Sequence, residues 1–413
     1  MSISRRNLLS NAAALSALSA VGWHPSMARA AVGERKFIFF YAMGGWDTTA
    51  VFDPHHNSDY VDMEQDTLTE TLGNLAFTGG QPRIFTSRFF SRWGNQTSIV
   101  NGIDAHSVGH ASGRQFAMTG TSASSYPDWP TLLAATGQGD YPLPHIVFSG
   151  PNFPGNKGSA VVRAGGGTLL NLIDGSIVGA SDMPAPVPSS PADSIVDAFV
   201  YDRVANFAGK RGGRAESLIS NLDRAMEIEG RRFEAGLSDL GNSMLEQAIK
   251  ASEMMRLGLS RCAMVGVPGG WDSHGDNTVQ GLQFEDFFDA LDQLMDHLAT
   301  TPGLSSPWLI DEVTVVALSE FGRTPLLNGN GGKDHWPYNS ALFVGSGVRG
   351  NRMIGKTDTG LIAQPIDFKT GLPADSGDML GAEHVGAAIL KLGGIDPESH
   401  LPGVQTLDAL LKG

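Results

Sequence analysis

Residues 313–324 read VTVVALSEFGRT. The run 313–318 is almost wholly apolar, with none of the polar–apolar alternation of a strand that has one wet face. A short unbroken run of this kind is a strand buried on both faces, the habit of parallel sheets covered by helices on either side. It stops abruptly at Ser319-Glu320, and Asp334-His335 follows a glycine-rich loop. Placing an acid, a base and an imidazole at the exit of a buried strand is costly unless they have partners. A bound ligand is the natural reason for them.

Outward from that run the same signal recurs. Residues 36–41 (KFIFFY) and 262–267 (CAMVGV) are further apolar strands, and 98–103, 145–148 and 341–344 are shorter ones. Helical spacing marks 109–118, 194–207, 216–259, 279–298 and 382–392. Strands alternating with helices predict an α/β fold with a mostly parallel central sheet and helices on both faces. Its domains are expected to be a leader, 1–30, and one α/β domain, 31–413, with a helical insertion at about 194–259 behind the Pro/Ser stretch PAPVPSSP. The Met residues of that insertion are expected to fill core.

Composition narrows the function. The 413 residues carry a formal charge of −14, which argues against nucleic acid and anionic membrane as partners. One cysteine, Cys262, rules out an intrachain disulfide. The N-terminus has paired arginines, Arg5-Arg6, then a moderate apolar run and the Ala28-Arg29-Ala30 cleavage pattern. This predicts twin-arginine export to the periplasm or medium with cleavage after Ala30, with a Sec-type leader as the alternative. Losing three arginines takes the charge from −14 to −17. No stretch is apolar enough to span a bilayer.

Parallel α/β sheets bind ligands beyond the carboxyl ends of their strands. Gly-Gly-Trp-Asp appears at two strand ends, as 44–47 and again as 269–272, the second running on into Ser273-His274. Asp47, Asp272, His274, Glu320 and His335 are therefore candidate ligands for Zn, Mn or another divalent ion, with Ca and Mg as alternatives. Ordinary loop capping, a local Glu320–Arg323 ion pair, and Asp334 as an orienter of His335 are the plainer readings. Trp46, Trp271 and Trp336 either wall a pocket or pack. Residues 104–114 (DAHSVGHASGR) lead into a helix, and His106, His110 and Arg114 at its start make a candidate oxyanion site.

The twin-arginine head, GGWDSH, LSEFGRT, GGKDHW and LFVGSGVRGNRMIG together resemble domain-of-unknown-function family 1501, placed in the alkaline phosphatase–sulfatase superfamily. The resemblance implies an alkaline phosphatase-like fold, a two-metal site, and hydrolysis or transfer of phosphate and sulfate esters. It aligns Asp47, Asp272, His274 and His335 with metal ligands, and Glu320 with the Asp of an Asp-His pair. Two positions depart from the pattern. Phe321 stands where that pair has its His, and His110 stands where sulfatases carry their nucleophile. The expectation is an exported metal-dependent hydrolase of a small anionic ester, with His110 or His106 as acid or base and Arg114 gripping an oxygen. A catalytically degenerate periplasmic binding or assembly protein is the alternative.

Overall fold

The computed structural model describes residues 33–164, 195–196, 198–200, 202–203, 206 and 241–412. The Arg5-Arg6 leader, its cleavage point after Ala30, and most of the helical stretch expected at 194–259 lie outside the described residues.

In chain order the strands of the central sheet are β1 (Lys36–Ala42), β4 (Thr97–Asp104), β5 (His145–Val147), β6 (Val161–Arg163), β7 (Cys262–Val267), β8 (Val313–Ser319), β11 (Tyr338–Gly345) and β12 (Arg352–Ile354). A hairpin of β2 (Thr67–Leu72) and β3 (Leu75–Gly80) stands apart, as does a two-residue ribbon of β9 (Gly322–Arg323) and β10 (His335–Trp336). The helices are α1 (Ile84–Trp93), α2 (His110–Thr119), α3 (Trp129–Thr136), α4 (Met244–Arg256), α5 (Thr278–Thr300) and α6 (Ala382–Leu392). Of the expected insertion, α4 is described; Ser243 and Glu246 start it with a reciprocal capping box, and Met244, Met254 and Met255 are buried.

The eight strands run in the order β12-β4-β11-β8-β1-β7-β5-β6. Strand β1 lies at the centre, parallel to both β7 and β8, and all seven of its residues are buried. Side chains alternate across a strand, and β1 divides accordingly. Ile38, Phe40 and Ala42 enter the apolar layer formed with α1, α4 and α5. Phe37, Phe39 and Tyr41 enter the opposite layer with α2, α3 and α6. Two covered faces explain why the run lacks polar alternation.

One strand breaks the parallel rule. β11 pairs antiparallel with both β8 and β4. A parallel return needs a long crossover, usually helical. Here the chain leaves β8 and comes back through the ribbon, where His335 pairs with Arg323 and Trp336 with Gly322. That tight return brings His335 back to the edge at which Glu320 left the sheet. Because β4 is antiparallel to β11 in turn, its carboxyl end, and with it the start of α2, reaches the same edge.

His145, at the start of β5, is fully buried; its Nδ1 lies 3.1 Å from Thr131 Oγ1 and its Nε2 has no partner among the described residues. Burial pushes its pKa down to about 3. It is therefore neutral when folded and charged when unfolded in acid, so the stability is complete above the unfolded value and lost as pH falls toward the folded one. Between about pH 6 and about pH 4 this group should tilt stability by roughly 1.4 kcal/mol per pH unit. Urea unfolding of His145→Gln should give a shallower acid slope by that amount; equal slopes in the two proteins would refute it.

Candidate functional site

Four side chains meet at the carboxyl edge. Asp272 follows β7, His274 lies two residues on, His335 comes from β10, and His110 opens α2. Asp272 Oδ1 is 3.2 Å from both His335 Nε2 and His274 Nε2, and these two nitrogens are 2.9 Å apart. Asp272 Oδ2 is 3.2 Å from His110 Nε2. Ligand atoms of His110, Asp272 and His335 all lie within 4.8 Å of one another.

The far side of each ring decides what this means. His274 Nδ1 is 2.7 Å from Asp334 Oδ1, His335 Nδ1 is 2.6 Å from the Val108 carbonyl, and His110 Nδ1 is 3.0 Å from Glu320 Oε1. Each partner is an acceptor, so each ring donates from Nδ1, and as a neutral imidazole it turns its Nε2 lone pair to Asp272. Three lone pairs and a carboxylate then converge, and of these contacts only Arg323 brings Asp272 a fixed donor. Acceptors at such distances repel unless something electropositive sits among them. Imidazoles oriented by an acceptor on the other nitrogen are the usual dress of metal ligands. Tetrahedral ligands about 2.0 Å from an ion lie about 3.3 Å apart, close to the separations here. The donor set fits a cation: His110, Asp272 and His335 bring mutually close ligand atoms, and His274 Nε2 adjoins Asp272 and His335.

Arg323, fully buried, sets the frame. Its guanidinium donates to Asp272 Oδ1 at 2.7 Å, Trp271 O at 3.0 Å, Gly45 O at 2.8 Å and Lys333 O at 3.0 Å, and also to Gly44 O. One side chain thus ties together the loops after β1 and β7 and the approach to β10. Burial opposes the charge on Asp272, yet the hydrogen bond and the charge of Arg323 hold its pKa down to about 2. The loops fit closely. Gly45 has φ +90, and a Cβ there would come within 2.4 Å of the Phe321 ring. Phe321 is fully buried, with its ring centroid 4.3 Å from that of His335 and 5.2 Å from that of His110, so it floors the histidine cluster.

The structure sorts the candidates read from sequence. Asp272, His274 and His335 come together. Glu320 does not enter the cluster: it is fully buried behind His110, and its Oε1 accepts from Gly44 N–H at 2.9 Å and from His110. Asp47 is turned inward, accepting from Thr49, Asn277 and the Lys333 ammonium. His110, expected as acid or base, stands among the ligand atoms instead. His106, with φ +55, is held 2.7 Å from Glu383 Oε2, a hydrogen bond that raises its pKa, so it points away from the cluster. Arg114, one turn beyond His110 on α2, is half-buried and makes no hydrogen bond or ion pair among the described residues. Asp334 orients His274, not His335. Glu320 and Arg323 do not pair with each other; Arg323 takes Asp272. Trp46 and Trp271 are buried packing residues, with Trp46 Nε1 donating to Asn339 and Trp271 Nε1 to Val267 O. Arg323 was reachable from sequence only as a neighbour of Glu320; its reach to three loops is a tertiary fact.

Residues 242–409 match the model of a family described as a protein of unknown function, DUF1501, and the resemblance seen in the sequence motifs holds over that segment. No curated protein matches the sequence. Among solved structures, a protein bound to its substrate D-glucosamine-2-N,6-O-disulfate overlays at TM-score 0.37 and 10% identity, covering 92% of this chain and 81% of its own. A variant of TAB5 alkaline phosphatase with bound Mg gives 0.35 and 9%, covering 88% and 99%. The lipoteichoic acid synthase LtaP from Listeria monocytogenes gives 0.36 and 10%, covering 96% and 81%. Overlays this loose carry no argument about chemistry.

Replacing Arg323 by Leu would leave the carbonyls of Gly44 and Lys333 without their donor, while Gln280 would still donate to those of Gly45 and Trp271. Each buried polar group left unpaired costs about 1–3 kcal/mol, so urea unfolding should register a loss of at least about 2 kcal/mol. A loss under about 1 kcal/mol would show that the loops hold their places without the guanidinium.

Proposed function

We propose that the chain is an exported, metal-dependent hydrolase of phosphate or sulfate esters, its cation held by Asp272, His274, His335 and His110. The observation that supports this most is the convergence of three Nε2 lone pairs on one carboxylate, each ring locked by an acceptor behind it. Three imidazoles and one carboxylate suit Zn or a neighbouring first-row ion better than Ca or Mg, which prefer oxygen. Such an ion supplies Lewis acidity toward an ester oxygen and toward water.

The chain's own residues supply the rest. Arg114, without a hydrogen-bond or ion-pair partner among the described residues, offers a guanidinium fork that matches two oxygens of a tetrahedral anion. The first turn of α2 lies at the same edge, and helix N-termini favour anions. Glu320, Asp334 and the Val108 carbonyl hold the three rings still. Among the described residues no Ser, Thr or Cys side chain hydrogen-bonds to any of the four ligand residues, so water is the nucleophile and no covalent intermediate on the protein is required. That same lack supports a second reading, a degenerate binding or assembly protein that holds an anionic ligand at the centre without turning it over.

The partners on this reading are a small anionic ester and the twin-arginine export machinery. Ligands drawn from three separate loops assemble only in the folded chain, which suits a route that carries folded, metal-loaded cargo. No helix of the described residues is long and apolar enough to cross a membrane.

Zinc-loaded protein should hydrolyse 4-nitrophenyl phosphate or 4-nitrophenyl sulfate, lose that activity to a chelator, and regain it on adding Zn. His335→Ala should lower kcat/KM at least about 100-fold, beyond the effect of losing an outer partner. Full metal content with no turnover of either ester would favour the binding protein. Folded, metal-exposed protein that retains no ion would overturn both.

A further inference from the structure

Asp47 and Asp272 close the same phrase, Gly-Gly-Trp-Asp, at the ends of adjacent parallel strands. Only Asp272 faces the histidines. The carboxylate of Asp47 is about 98% buried, and its four acceptor positions are all filled. Oδ1 accepts from Thr49 N at 3.0 Å and Thr49 Oγ1 at 2.7 Å; Oδ2 accepts from Asn277 Nδ2 at 2.7 Å and Lys333 Nζ at 2.8 Å. Lys333 is fully buried too, and its ammonium has Thr49 Oγ1 as a second partner at 3.1 Å. Its backbone is pinned on both sides, N–H to Ser273 O and C=O to Arg323, so the side chain cannot swing out without disturbing the Asp272 loop.

A buried carboxylate needs a counter-charge, since removing one partner of such a pair costs far more than the pair is worth. At this sheet edge the counter-charge could come from a bound ion or from the chain. Here the chain supplies it, and Asp47 cannot ligate a metal while the ammonium stays. We propose that Lys333 is a tethered cation: it fills, at Asp47, the place a second divalent ion would take, and so fixes the metal content of the chain at one. This rests on reading the histidine cluster as a metal centre. The two-metal arrangement implied by the family resemblance does not fit these residues, and Lys333 is the reason. Taking the ammonium away would leave a pocket lined by the Asp47 carboxylate, the Thr49 hydroxyl and the Asn277 side chain, a hard oxygen site suited to Mn or Mg.

Metal content after loading with Zn and desalting, read by plasma mass spectrometry, separates the possibilities. One equivalent in the natural chain supports the proposal, and two overturn it. None would remove the histidine centre but leaves Lys333 to be judged on its variants. Lys333→Ala, titrated with Mn, should bind one equivalent more than the natural chain, and the double variant Lys333→Met with Asp47→Asn should not. If Lys333→Ala is folded and takes up no extra ion, or if the double variant takes up as much, the tethered-cation account fails. Should Lys333→Ala be unfolded alone, millimolar Mn is expected to restore its thermal transition; no restoration overturns the proposal.

Discussion

The guanidinium of Arg323 is the contact on which the rest of this sheet edge depends. The loops after β1 and β7 and the approach to β10 are distant in sequence, and backbone carbonyls from all three end on this one planar group. Buried carbonyls facing one another would repel. A charged fork between them turns that repulsion into attraction and spends one arm on Asp272. The carboxylate is thereby held by a donor outside the histidine cluster.

Around that fixed point the chain builds two electrostatic solutions from similar parts. At Asp47 the negative charge is closed off by Lys333 and needs nothing from outside. At Asp272 the surroundings are imidazoles whose protons have been drawn to their far nitrogens, so the side facing Asp272 stays rich in electrons and partly open to solvent. The first arrangement is a structural ion pair. The second has the form of a site. Phe321 beneath the rings keeps water from the rear, and the close packing of Gly113 against Glu320 and Phe321 lets α2 present His110 from that side.

Much of the fold was legible in the sequence because burial on both faces leaves a plain signal. The 262–267 strand and the 382–392 helix match their observed bounds, Cys262–Val267 and Ala382–Leu392. The direction of β11 was not legible, since it depends on whether the segment after Glu320 crosses over or turns straight back. At the site, Asp272, His274 and His335 were readable as a donor set at strand ends. The separate roles of Asp47, Glu320 and His110 were not, because residue type alone does not say which acidic group has a cation already beside it. Lys333 and Arg323 settle that, and both act across gaps of tens to hundreds of residues that no local pattern spans.

The most direct test is X-ray absorption at the Zn edge of protein loaded with one equivalent. The account predicts nitrogen and oxygen neighbours at about 2.0–2.1 Å, with the multiple-scattering pattern of three imidazole rings, one of which disappears in His110→Ala. A shell of oxygens without imidazole scattering, or a spectrum unchanged by that substitution, would contradict it.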